Sequence, residues 1–371
     1  MTDKIIIGRI KYKYFEVMIV KVMKKVFAVF MALCMLLVPL VISANAAGRK
    51  PALRTSAGIQ ALRDEFDHDV APKAGGHALD YAYYSPVGVN DNTKYPLVIF
   101  LHGIGHADYE GAQLNDSDFP YWASAELQSR FDEGGAFILL PRAPEDKLIY
   151  WGETLIESLR SVIDDVIAKH GDNIDTTKIF IGGSSAGGEM TWKMIIAFPE
   201  YFAGAFPIAS TGTVSETDTL VCSDVAIWMI ASKKDPIVNY TTITTPLWNN
   251  VVKHNSNPEK CRLSSFENVV EPAGASASDN HHMAKVVTYD FHMLDGSTYP
   301  NVTTKDGNGN TVSLVSPNGM IKWMNSLSSS YEGNAADGSG NVNVSVFDSI
   351  FGVLRNFVLK LVNIVQRILG L

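Results

Sequence analysis

The chain has 371 residues, 46% hydrophobic and 19% charged, which suits one large buried core and excludes global disorder. Its formal charge is −8; removing residues 1–47, with seven Lys/Arg and two Asp/Glu, leaves 24 basic against 37 acidic residues, a formal −13. That balance disfavours nucleic acid as a partner.

The first feature in chain order is Lys24 and Lys25, then an apolar run over residues 26–42, then Ala44, Asn45, Ala46 and Ala47. This is the pattern of a secretory signal cleaved near Ala47 or Gly48, with Met23 as a more natural start than Met1. A retained membrane anchor is the rival reading, because the run is nearly long enough to span a bilayer. Export to a secreted or cell-surface location leaves Cys222 and Cys261 in an oxidising compartment, where an even pair is expected to form a disulfide; two separate buried thiols are the alternative.

From residue 48 to 327 strands and helices alternate, the pattern of a mainly parallel sheet covered on both faces. Residues 79–85, 96–101, 136–140, 178–181, 204–209, 225–232 and 262–270 read as strands, and 286–292 as a further one. Residues 153–170 carry Leu155, Leu159, Val162, Ile163, Val166 and Ile167 at helical spacing. Residues 186–198 form a helix that stops ahead of Pro199, and 245–254 and 317–327 read as helices too. Asp306, Gly307, Asn308, Gly309 and Asn310 mark a hairpin turn. Residues 328–343, rich in Ser, Gly, Asn and Asp, read as a flexible linker. Residues 344–371 form a separate amphipathic helix whose four charges argue against a bilayer span. Its apolar face suits an in-plane membrane contact, self-association or docking on the preceding domain.

The residues that carry chemistry begin with Gly183-Ser184-Ser185-Ala186-Gly187, a Gly-x-Ser-x-Gly pattern between a buried strand and a helix. A serine on so sharp a turn needs small neighbours, and the spacing selects Ser185 over Ser184 as a nucleophile. Serine requires a base and a group to orient that base. Asp235, in Lys233-Lys234-Asp235-Pro236, follows a strand on a tight loop, where open α/β sheets gather function. For the base, His281 and His282 follow a loop rich in Gly, Ala and Ser; His281 is favoured over His282, with His292 third, and His254 lies one strand too early. No second Cys/His/Asp cluster accompanies the pair to make a metal site. The oxyanion of an acyl transfer would be met by the backbone N–H groups of Ala186 and Ile104, the latter in Leu101-His102-Gly103-Ile104-Gly105. His102 reads as a support of that loop. Trp151 is a candidate wall of an acyl pocket or, equally, a core aromatic.

Three stretches carry a resemblance: Tyr95-Pro96-Leu97-Val98-Ile99-Phe100-Leu101-His102-Gly103, then Ile174-Asp175 leading into residues 178–188, and Phe198-Pro199-Glu200-Tyr201-Phe202-Ala203-Gly204-Ala205-Phe206-Pro207. Together they resemble the secreted polyhydroxybutyrate depolymerase and feruloyl esterase group of α/β-hydrolases, and the catalytic domain of prolyl oligopeptidase-type peptidases, over residues 75–327. The resemblance implies an α/β-hydrolase fold with a mainly parallel eight-stranded sheet, a Ser-Asp-His triad, no cofactor, and a small-molecule or polymer-linked ester as substrate. Asn280-His281-His282-Met283 departs from the Gly-His then Trp that relatives often show. Two rival functions stand beside an esterase: a serine peptidase, and a non-catalytic surface-binding protein on the same scaffold.

Overall fold

Side chains alternate across a strand, and along the central strands of this protein both sides of that alternation are apolar. In β3 (Tyr95–Leu101), Val98 and Phe100 enter one core while Leu97, Ile99 and Leu101 enter a second on the opposite face. The same division runs through β4 (Phe137–Pro141), β5 (Ile174–Ser184), β6 (Gly204–Ile208) and β7 (Ala226–Ser232). Strands buried on both faces suit a parallel sheet covered by helices. The computed structural model describes residues 56–89, 92–105, 107, 111–115, 119–144, 151–210, 214–267, 269, 282, 302–314 and 319–331. The signal-like segment, His281, His292, the strand expected at 286–292, most of the linker and the C-terminal amphipathic segment lie outside them. Among the described residues no helix is long and apolar enough to cross a membrane.

Among the described residues the sheet has nine strands in the order β1-β2-β4-β3-β5-β6-β7-β8-β9; seven of them match expected strands, and β1 and β9 are additional. Strands β3 to β8 pair in parallel; β1 (Asp67–Val70) and β2 (Asp80–Tyr84) are antiparallel at one edge, and β9 (Val302–Asp306) runs antiparallel to β8 (Arg262–Phe266) at the other. The additional strands sit at the edges, where one wet face suffices: β1 reads Asp-His-Asp-Val and is largely exposed, so it carries no alternating apolar signature. The turn after β9 is the expected hairpin. The Asp306 carboxylate accepts from the N–H groups of Asn308 and Asn310, and Val312 N–H returns to the Thr304 carbonyl.

Helix α1 (Ser56–Arg63) precedes the sheet, and the short α2 (Ala125–Gln128) contributes Leu127 to the first core. The helix α3 (Ile156–His170) buries Leu159, Val162, Ile163 and Val166 in the second core, as the helical spacing predicts. Full burial of each such side chain contributes about 1.5–3 kcal/mol. Helices α4 (Ala186–Ala197) and α6 (Thr245–His254) cover the same face, and α7 (Met320–Asn325) packs on the other. Between β6 and β7, α5 (Glu216–Val221) opens on a capping box: Ser215 accepts from Asp218 N–H while the Asp218 carboxylate accepts from Ser215 N–H.

The expected Cys222–Cys261 disulfide is absent; both cysteines are buried free thiols. Cys222 caps the C-terminus of α5, and its Sγ donates to the Asp218 carbonyl at 3.3 Å. Burial pushes the Cys222 thiol up to about 12 and the Cys261 thiol up to about 11, so neither forms thiolate near neutrality. Iodoacetamide at pH 8 is expected to leave both unmodified in the native protein and to alkylate both once guanidinium unfolds it, as peptide mapping will read. The unfolded value is near 9.0 and the folded values lie above it. The stability these protonated thiols contribute is therefore intact below about pH 9 and is lost as pH rises through the folded values.

Candidate active site

The elbow is built by close approach of backbones. β5 ends at Ser184, α4 begins at Ala186, and Ser185 between them holds φ 54°, ψ −117°, a conformation that L-residues rarely adopt and that costs about 1–3 kcal/mol. Its N–H donates to the Ile208 carbonyl at 2.9 Å, tying the turn to β6. Gly187 explains the motif's last position: a Cβ there would lie 2.0 Å from the Leu101 carbonyl oxygen and 2.7 Å from that of His102. At Gly183 a Cβ would meet the Gly187 backbone at 2.6 Å. Gly187→Ala is accordingly expected to cost more than about 3 kcal/mol, because only backbone could give way. Urea unfolding of that variant, or its failure to accumulate as soluble protein, checks this.

Three chain segments converge on Ser185 at the carboxyl edge of the sheet. His282 Nε2 lies 2.9 Å from Ser185 Oγ, and His282 Nδ1 lies 2.8 Å from Asp235 Oδ2. A carboxylate only accepts, so Nδ1 carries the hydrogen that bonds it, and Nε2 is left to accept from the serine hydroxyl. The Asp235 side chain is 1% exposed and that of His282 13%. Burying a carboxylate demands that both oxygens be satisfied. They are: Oδ2 takes the imidazole, and Oδ1 accepts from Ile237 N–H at 2.8 Å and Val238 N–H at 2.9 Å.

The structure thus joins Ser185 and Asp235 through His282. The favoured candidate for that position, His281, lies outside the described residues, and its neighbour makes both bonds. His254 is elsewhere, with its ring against the Thr219 hydroxyl at 3.0 Å.

The loop after β3 lies beside the elbow: a Cβ at Gly103 would come within 3.7 Å of Ser185 Cβ. Ile104, next in this loop, is 51% exposed. Ala186 is the first residue of α4, so its N–H has no intrahelical acceptor and stands at the positive end of the helix dipole. His102 supports the loop as its place in the motif suggests. It is fully buried, its Nδ1 bonds the Gly103 carbonyl at 2.8 Å, and its Nε2 accepts from Ala143 N–H at 3.1 Å.

Trp151 lies in the second core. It is 3% exposed, and its indole N–H donates to the His102 carbonyl at 2.8 Å, so an apolar body is buried while its polar atom braces the loop. Sequence reasoning missed another brace. Arg142 grips Asp80 through Nε and Nη2 and donates from Nη1 to the Ala107 carbonyl at 2.9 Å, which fixes the far side of the same loop. Nothing in the local sequence marks that pair, since its partners stand 62 residues apart.

No protein-family model matches the chain. A poly(3-hydroxyalkanoate) depolymerase C from Paucimonas lemoignei is 33% identical over 129 residues, which is 33% of this chain and 29% of the depolymerase, well under two thirds of its length. The crystal structure of a thermostable esterase is 28% identical, with a TM-score of 0.51 over 62% of this chain and 61% of the esterase. Esterase 2 of Thermogutta terrifontis, phosphoramylated by tabun, is 15% identical with a TM-score of 0.43, covering 60% of this chain and 91% of the esterase. The strand order, the elbow after β5 and the likeness to the thermostable esterase establish that this chain has the α/β-hydrolase fold, with sequence similarity to a poly(3-hydroxyalkanoate) depolymerase.

Proposed function

We propose that the protein is a serine hydrolase that cleaves carboxylic esters, free or polymer-linked, through an acyl-enzyme. The observation that carries this reading is the unbroken relay from Asp235 Oδ2 to His282 to Ser185 Oγ, with bonds of 2.8 and 2.9 Å. Ser185 Oγ attacks the ester carbonyl carbon as its proton passes to His282 Nε2. The imidazolium that forms is held by the buried Asp235 carboxylate. Negative charge develops on the carbonyl oxygen, where the N–H groups of Ile104 and Ala186 receive it. Collapse of this intermediate breaks the ester C–O bond, and the departing alkoxide takes the proton from Nε2. Water then attacks the acyl-enzyme, giving a proton to His282 on the way. The acid leaves as Ser185 Oγ regains that proton.

Similarity to a depolymerase and an esterase supports the ester class. The signal pattern at residues 24–47 supports export, and the apolar face of residues 344–371 supports association with a membrane surface or a second copy. The test is p-nitrophenyl acetate hydrolysis together with labelling by a fluorophosphonate, which bonds covalently to an activated serine. Turnover and labelling are both expected. A folded protein that does neither would overturn the reading and favour a binding role.

A further inference from the structure

His102 immediately precedes Gly103 and Ile104 in the loop after β3, and its side chain is fully buried. A buried imidazole needs a partner at each nitrogen, and both partners here are backbone groups. The N–H of Ala143, just past β4, donates to Nε2 at 3.1 Å, and the Gly103 carbonyl lies 2.8 Å from Nδ1. A backbone N–H only donates, so Nε2 is an acceptor and carries no hydrogen. The ring hydrogen is therefore on Nδ1, where it donates to the Gly103 carbonyl. The other tautomer would set two hydrogens against each other at Nε2 and two lone pairs at Nδ1.

The carbonyl that receives this hydrogen belongs to a particular peptide. The C=O of Gly103 and the N–H of Ile104 are the two ends of one planar amide, so a bond accepted at the oxygen draws electron density from the nitrogen and makes its N–H a stronger donor. In a trans peptide the two ends also point in opposite directions, so holding the oxygen on the buried ring turns the Ile104 N–H away from it. The preceding peptide is held in the same manner: the His102 carbonyl accepts from the Trp151 indole N–H at 2.8 Å, and the two rings lie 5.0 Å apart. Two successive loop carbonyls thus face buried ring donors. They do so beside the nucleophile, since a Cβ on Gly103 would stand 3.7 Å from Ser185 Cβ.

We propose that His102 is a positioning residue for the reaction: its Nδ1–H, locked in place by Ala143, polarises and aims the Gly103–Ile104 amide, so that the Ile104 N–H meets the oxyanion as a stronger donor. The ring acts through that one peptide and not by contact with the substrate. The inference rests on the esterase reading above and on Ile104 as one of its oxyanion donors.

The test divides the two ring nitrogens between two variants. His102→Gln reaches as far as Nε2, so its Oε1 accepts from Ala143 N–H while nothing donates where Nδ1–H stood. His102→Asn is shorter and does the reverse, with an amide N–H at the Nδ1 position. Each gives up one bond, so a ring that merely props the loop would make them equal. For p-nitrophenyl acetate, His102→Gln is expected to lower kcat about tenfold with KM within about twofold, since only the transition state carries the oxyanion. Inhibition by 2,2,2-trifluoroacetophenone, whose adduct with a serine presents an oxyanion, should weaken in proportion. His102→Asn should restore both to within about threefold of wild type. Equal losses in the two variants, a loss in neither, or a greater loss in His102→Asn overturns the proposal and leaves the esterase reading intact. Circular dichroism and thermal melting confirm folding. If neither variant folds, ¹⁵N spectra of histidine-labelled wild type decide, with the ring assigned through its contact to the Ala143 amide: hydrogen on Nδ1 is expected, and hydrogen on Nε2 overturns the proposal. A wild type that neither turns over the ester nor takes a fluorophosphonate overturns both readings.

Discussion

Ser185→Ala is expected to lower kcat/KM for p-nitrophenyl acetate by about 10⁴- to 10⁶-fold and to abolish fluorophosphonate labelling, with the protein still folded. The size follows from the mechanism: without Oγ no acyl-enzyme forms, and what remains is the contribution of the oxyanion donors and of binding alone. Stability should change by less than about 1 kcal/mol, since the elbow is held by the Ser185 N–H bond to Ile208 and by glycine contacts that the substitution does not touch. Ser185→Gly supplies the internal control. It removes the same oxygen and also relieves the strained φ of 54°, worth about 1–3 kcal/mol against the roughly 0.5–1 kcal/mol that glycine's added backbone entropy takes back. Equal loss of activity with a higher urea midpoint for glycine than for alanine would show that the chain tolerates strain there to present the hydroxyl. Residual turnover above about 1% in either variant would move the nucleophile elsewhere.

His282→Ala and His281→Ala should separate sharply. The first removes the group that bonds both Ser185 Oγ and Asp235 Oδ2, and is expected to cost about 10⁴- to 10⁶-fold in kcat. It also leaves a buried carboxylate with one oxygen unpaired, so a loss of about 1–3 kcal/mol in stability should accompany it. His281→Ala should stay within about tenfold of wild type, because His282 alone closes the relay. Parallel kinetics and urea melts of the two variants decide the matter. Inactivity of His281→Ala beside an active His282→Ala would reverse the assignment and require the loop to shift its register by one residue.

Much of this protein is legible in its sequence, and the legible parts share a physical cause. Periodicity located the central strands and α3, because burial on two faces of a sheet or one face of a helix writes itself into the order of apolar residues. The elbow was readable for a similar reason: Gly187 stands where the Leu101 carbonyl leaves no room for a Cβ, a constraint one residue type satisfies. Asp235 was readable from its loop at the end of a buried strand.

Tertiary structure decided the rest. Between His281 and His282 the sequence offers no arbiter, since adjacent residues of one type in a loop differ only in the direction the backbone gives them. Edge strand β1 escaped because a polar strand needs no apolar alternation. The cysteine pair invited a bridge, whereas the structure holds both as buried free thiols, with Cys222 Sγ on the Asp218 carbonyl. Trp151 and Arg142 brace the loop after β3 through carbonyls, and any residue has a carbonyl, so the chain's order holds no trace of either contact. Local sequence encodes what each segment must bury and how sharply it must turn, while the meeting of side chains from distant segments exists only after the sheet has assembled.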